Sequence, residues 1–328
     1  MLSHRLIGAW PALRGGRLAL AVATLLSGLT VGAAAGAQSL TELPPAAGDD
    51  GTQASGVSAN GMAVGGLTYG ASGSRAFRWA AARGTEALEA VPGSVSTFPW
   101  SLSGNGEFVS GSVYLESGVD RAALWSRGRV ELLGTLPNAL YGSSATAVSF
   151  SGNEVTGVST TSEGMYHAFR WSRGRGMQDL GTLPGGFTSY GYGISGDGNV
   201  ITGLSDTNEG TLAIRWTERD GMRALPPIAP GDWAMGYAAN RDGSVLVGFS
   251  GSNAAVWRDG VVENLGTLPG GSFSAAFSVS GDGRVVGGIC DNAQGAIVAC
   301  VWTASLGLVE VEQLAASGST SRAGPSTR

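Results

Sequence analysis

Short runs in which apolar and small polar residues alternate fill most of the chain, and Asn-Gly, Asp-Gly and proline break them at regular intervals. Such runs predict β-strands joined by tight turns. The stretch from Leu180 to Gly203 and its continuation show the plan. Strands are predicted over 190–195, 199–204, 212–217 and 222–225. Asp197-Gly198 makes the first turn, because both positions of a two-residue type I′ hairpin need positive φ. A looser loop is predicted over 205–210 and a second turn at Asp220-Gly221. Pro226-Pro227 ends the fourth strand, since proline cannot donate to a continuing ladder.

This plan repeats. Trp79, Trp125, Trp171, Trp216, Trp257 and Trp302 follow one another at intervals of 41 to 46 residues. A turn dipeptide shares the period, at Asn60-Gly61, Asn105-Gly106, Ser151-Gly152, Asp197-Gly198, Asp242-Gly243 and Asp282-Gly283. So does a glycine five residues after each turn glycine: Gly66, Gly111, Gly157, Gly203, Gly248 and Gly288. Three markers with one period define six units of propeller-blade length. A lone four-stranded unit leaves its faces uncovered, whereas stacking on copies of itself buries them. The expected fold is therefore all-β, a six-bladed β-propeller of four-stranded antiparallel blades. A β-solenoid is the alternative, and it would hold the chain ends far apart. The six tryptophans are read as packing between blades rather than as a ring of ligand-stacking aromatics. Leu40 to Leu43, closed by Pro44-Pro45, and Leu308 to Leu314 both resemble a fourth strand, and either could close the ring.

Composition adds compartment and partner class. Residues 1–37 have the form of a cleaved secretory signal, with Arg5, Arg14 and Arg17 before an apolar stretch and Ala35-Gly36-Ala37 as cleavage site. The propeller is expected over 38–314 and a disordered tail over 315–328, with no membrane-spanning segment. Export implies an oxidising compartment, secreted or periplasmic, in which Cys290 and Cys300 are expected to form a disulfide across one hairpin. Glycine, at 55 of 328 residues, suits many turns. A net charge of −5 and the lack of any basic run exclude a nucleic-acid surface.

One unit contains His167-Ala168-Phe169-Arg170-Trp171, then Gly176-Met177 and the run from Leu180 to Gly186. Ala76-Phe77-Arg78-Trp79, Ala213-Ile214-Arg215-Trp216 and the run from Leu265 to Gly271 echo it. The chain thereby resembles the HAF-repeat family of bacterial extracellular repeat proteins, and the likeness covers nearly all of the expected mature chain. The resemblance implies export and a propeller-like repeat. It implies no activity, and only one unit carries the complete His-Ala-Phe.

In a four-stranded blade the a–b and c–d turns lie on one face of the disc and the b–c and d–a connections on the other. The latter are expected to be longer and more variable, which is where binding residues sit on a rigid frame. Ligand-contact candidates there are the aromatics Trp100, Tyr141, Tyr190, Tyr192, Trp233 and Phe273 and the carboxylates Glu116, Glu163 and Asp206. The rings could stack on a glycan, or could anchor strand a against the next blade. A carboxylate pair could serve glycoside chemistry or bind calcium, the one cofactor these loops suggest; otherwise they are solvated loop charges. Asp197, Asp242 and Asp282 are expected to shape turns. After export His167 is the one histidine, which excludes a histidine-rich zinc site. Pro184-Gly185-Gly186 lacks the lysine and helix of a phosphate-binding loop. The expected function is a monomeric exported binding module for an extracellular protein or glycan. The alternative is a propeller carbohydrate-active enzyme, though no motif names a reaction.

Overall fold

The computed structural model describes residues 43–71 and 73–311. They form six four-stranded antiparallel sheets arranged in a ring, a β-propeller with no helix among the described residues. The blades cover 51–87, 94–134, 143–179, 189–224, 234–264 and 274–310. In each, strands a, b, c and d pair in chain order. Strands a of consecutive blades adjoin around the axis, while strands d lie at the rim. In the fourth blade the strands are Ser189–Ile194, Ile201–Thr207, Gly210–Thr217 and Gly221–Ala224. Strand b thus continues through the residues expected to form a loop. Thr207 pairs with Gly210, so only Asn208 and Glu209 remain as the turn. Tertiary bonds hold the extra residues extended: the Leu183 N–H donates to Ser205 Oγ, and the Phe187 and Thr188 N–H groups donate to Asp206.

The repeated glycine has a single geometric cause. Every strand a carries a bulge at the same register, at Ser55, Trp100, Thr146, Tyr192, Tyr237 and Phe277. The residue just before each bulge pairs with the repeat glycine of strand b. The bulge pushes a strand-a carbonyl into the space that a side chain on strand b would need. A Cβ on Gly203 would lie 1.8 Å from the Tyr190 carbonyl oxygen, and one on Gly157 1.9 Å from that of Ser144. Gly66, Gly111, Gly248 and Gly288 face equivalent oxygens at 1.8 to 2.3 Å.

Blades adhere through three repeated devices. Five apolar clusters join consecutive blades, and in each a strand-c tryptophan packs on the preceding blade: Trp125, Trp171, Trp216, Trp257 and Trp302. A serine opening strand a bridges backward. Ser189 Oγ accepts from the Ala168 N–H at 2.8 Å and donates to the Gly181 carbonyl at 2.5 Å. Ser143 and Ser274 do the same in their blades. Finally, the a–b turns bond to one another from the first blade to the sixth, as in Ala59 N–H to Gly104 carbonyl, Asp197 N–H to Arg241 carbonyl and Arg241 N–H to Gly281 carbonyl. Asp197 and Asp282 shape these turns: each accepts from the serine two residues before and the N–H two residues after.

The sixth and first blades meet differently. Among the described residues no apolar cluster joins them, and Trp79, Val57 and Val64 are only half-buried, although their counterparts Trp125, Leu102 and Val109 are buried. Elsewhere two apolar residues three apart carry the d–a crossover, as Leu180 and Leu183 do. Here each chain end supplies one of the two positions. The Val311 N–H donates to the Ala299 carbonyl as the Leu180 N–H does to that of Ala168. Ala46 N–H donates to Thr68 Oγ1 as Leu183 N–H does to Ser205. Gly307–Glu310 is strand d of the sixth blade, so the C-terminal segment fills that place. Matching positions at both ends accord with a ring and not with a solenoid. Cys290 and Cys300 form the expected disulfide across strands b and c of this same blade. The export segment 1–37, the tail 315–328 and the outer bounds of the propeller at 38 and 314 lie outside the described residues.

Gly203→Ala is expected to cost at least about 2 kcal/mol by overpacking. Gly174→Ala, where a Cβ would meet nothing within 4 Å, should leave stability almost unchanged in urea titrations. Equal effects would refute the bulge explanation. Replacing Cys300 by alanine opens a ten-residue loop and should cost about 2–3 kcal/mol. The accompanying loss of hydrogen-exchange protection should be confined to the sixth blade.

Candidate functional site

The crossover face, formed by the b–c turns and d–a connections, gathers most of the residues singled out from the sequence. Tyr141, Phe187 and Trp233 stand on three successive crossovers and are 60%, 66% and 50% exposed. Each crossover is covered by the b–c turn of the next blade. A side chain on Gly164 would touch Leu140 and Tyr141; one on Gly185 would strike Asn208; one on Gly251 would strike Asp232. Glu163 and Glu209, next to Gly164 and Asn208, are exposed beside these rings, and Asp232 immediately precedes Trp233. Glu116 is exposed on the b–c turn of the second blade, where its N–H donates to the Gly93 carbonyl.

The other aromatic candidates lie on or beside the innermost strands. Tyr190 and Tyr192 belong to a chain of aromatic rings running from the third blade to the sixth. Tyr166 lies 5.8 Å from Tyr190, Tyr190 6.1 Å from Tyr192, Tyr192 5.5 Å from Tyr237, and Tyr237 4.8 Å from Phe277, centroid to centroid. Burial pushes the Tyr190 and Tyr237 phenols up to about 12 and that of Tyr192 upward as well, so all three keep their protons. Trp233 packs edge-on against Phe249 at 4.8 Å. Trp100 is a bulge residue, with Nε1 3.4 Å from Ser112 Oγ. Phe273 is half-buried, and its N–H donates to Asp291.

The bulges set one residue per blade out of register on the innermost strand, and these six are Ser55, Trp100, Thr146, Tyr192, Tyr237 and Phe277. None is ionisable at neutral pH. Ser55 Oγ donates to the Pro99 carbonyl and Thr146 Oγ1 to that of Gly191, each stitching its blade to the next. The aromatic members stand out in the sequence with the other aromatics of the d–a connections and first strands, whereas Ser55 and Thr146 do not. The common spacing of all six was a usable signal, but hydroxyl and aromatic residues share no chemistry that would mark them as one set.

The carboxylates divide by environment. Asp206 accepts two backbone N–H bonds at 2.8 Å and so fastens the crossover that carries Phe187. Asp291 holds Ser272 and Phe273 in the same way, and the Ser272 hydroxyl keeps its carboxyl below the usual range. Both are anchors rather than a free acid and base. Among the described residues no group of three metal-ligating side chains converges. His167 Nδ1 is 2.9 Å from Asp179. That hydrogen bond raises the histidine pKa, against the opposing effect of burial, with a further bond to the Phe187 backbone. Burial opposes ionisation of Asp179, but hydrogen bonds from His167 and Gly181 outweigh it and hold the carboxyl low.

These features define a six-bladed propeller whose aromatic residues converge on its crossover face. In overall fold the chain is similar to a putative TolB from Agrobacterium tumefaciens, with 14% identity, 79% of each chain covered and a TM-score of 0.47. A TolB from Acinetobacter baumannii shows 11% identity over 76% of this chain and 67% of that one, with a TM-score of 0.45. One of two prolyl endopeptidases, described for their inter-domain dynamics, shows 11% identity over 78% of this chain and 41% of that one, with a TM-score of 0.52. At such identities the likeness is one of architecture. No family profile and no curated protein sequence matches the chain.

The His167–Asp179 pair has a defined pH window. The raised histidine pKa gives stability that is full below its unfolded value of about 6.5 and is lost as pH rises through the folded value. The lowered aspartate pKa gives stability present above about 3.9 and lost as pH falls through its folded value. Asp179→Asn should therefore destabilise most between about pH 4 and 6.5, and should lower the His167 pKa in an NMR titration. A pH-independent effect would refute this coupling.

Proposed function

We propose that the protein is an exported binding module of the HAF-repeat type, acting outside the cytoplasm, and that its crossover face engages an extracellular protein or glycan. The observation that carries this reading is the set of exposed rings Tyr141, Phe187 and Trp233 on three successive crossovers of a rigid frame. Large apolar groups left in water on one face of a folded domain mark a contact surface. The chemistry beneath them supports binding over catalysis. The bulge residues are hydroxyl and aromatic, and Asp206 and Asp291 hold backbone in place. The disulfide supports export, because such bonds persist in oxidising compartments.

A thermal-shift screen of the mature protein against oligosaccharides and Ca²⁺ tests the reading, alongside a reducing-sugar assay on a polysaccharide panel. A stabilising ligand raises the unfolding temperature by mass action. The shift should disappear in Phe187→Ser/Trp233→Ser without any release of reducing ends. Turnover lost in Glu163→Gln or Glu209→Gln would replace the binding reading with an enzymatic one.

A further inference from the structure

The crossover face carries an uncompensated negative charge. Among the described residues the basic side chains that open strands on that side are Arg75, Arg121 and His167, and all three are engaged, His167 by Asp179. Arg75 lies 2.8 Å from the fully buried carboxylate of Asp49, and Arg121 donates to the backbone carbonyls of Asp120 and Tyr141. Glu116, Glu163 and Glu209 stand exposed and form no ion pair among the described residues. The chain contains no lysine that could balance them. On the opposite face carboxylates do have basic partners: Glu131 pairs with Arg173, Glu218 with Arg170 and Arg175, and Asp220 with Arg223. Charge imbalance and exposed rings therefore coincide on one side of the disc.

They also coincide blade by blade. On the crossovers entering the third, fourth and fifth blades, an exposed ring shares its corner of the face with a carboxylate: Tyr141 with Glu163 and Phe187 with Glu209 of the b–c turn that covers each crossover, and Trp233 with Asp232, which also accepts from the Ala229 N–H. A ring face with an adjacent carboxylate attracts a cation twice, through the ring quadrupole and through its charge. Resting on the reading of this face as the binding face, we propose that it docks a basic polypeptide segment, with Lys or Arg side chains of the partner seated on the Tyr141, Phe187 and Trp233 rings. Three such pairs in a row suit a linear chain carrying several cations, because linked weak contacts reinforce one another. A neutral glycan would satisfy the rings and leave the carboxylates without a counterpart.

Fluorescence anisotropy with fluorescein-labelled nona-arginine tests the proposal on the mature protein, with labelled nona-glutamate and maltohexaose as comparison probes. Nona-arginine should bind and nona-glutamate should not, and binding should weaken as salt is raised. Affinity should fall at least about tenfold in Tyr141→Ser/Phe187→Ser/Trp233→Ser and in Glu163→Gln/Glu209→Gln. It should change less than about twofold in Glu131→Gln/Glu218→Gln, on the opposite face. All the substituted residues are exposed except Glu131, which is half-buried, and unchanged circular dichroism confirms folding. Equal losses from both faces, or no binding of nona-arginine, would overturn the proposal. Maltohexaose binding that needs the rings but not the carboxylates would overturn the basic partner while leaving the binding face intact.

Discussion

Each blade depends on one close approach, that of a strand-a carbonyl to the strand-b residue opposite it. The bulge in strand a creates the approach, and only a residue without a side chain survives it. The pairing register of the two inner strands is thereby pinned in all six blades. A slip by one residue would drive a Cβ into a backbone oxygen. The same bulge sets one residue per blade out of register on the innermost strand. The register of every blade is thus the consequence of a single backbone irregularity repeated six times.

Around that constraint the inter-blade contacts divide the labour. Tryptophans fill the outer part of five interfaces, bridging serines saturate the buried backbone groups between strands, and bonds between a–b turns tie the other face together. The crossover face is left comparatively free to vary. Asp206 and Asp291 fasten crossovers there from below, which lets Phe187 stand in water without loosening the loop that carries it.

The architecture was largely legible because its markers are steric and periodic. Turn dipeptides, proline stops and the strand-c tryptophans report backbone conformation and packing, and each recurs six times. Strand ends were less legible. Ser205 and Asp206 resemble loop residues until their bonds to the neighbouring crossover are seen, and such tertiary bonds override local preference. The candidate site was legible only in part. Tyr141, Trp233 and Glu163 could be assigned to the correct face from topology. The burial of Tyr190 and Tyr192, and the anchoring role of Asp206, depend on residues far away in sequence, so side-chain type alone could not separate them from exposed counterparts.

The junction between the sixth and first blades has a kinetic meaning. Every strand pairing and every other interface joins neighbouring segments of the chain, so assembly can spread from blade to blade through contacts of short sequence separation. Only this junction asks the two ends of the propeller to meet, and so it alone carries the entropy of closing the whole chain into a loop. Among the described residues it is also the interface that no apolar cluster spans, and its crossover is shared between the chain ends. Closure is thus the expected last step of folding and its reversal the first step of unfolding. The disulfide holds together the very blade that would be the first to lose its neighbour.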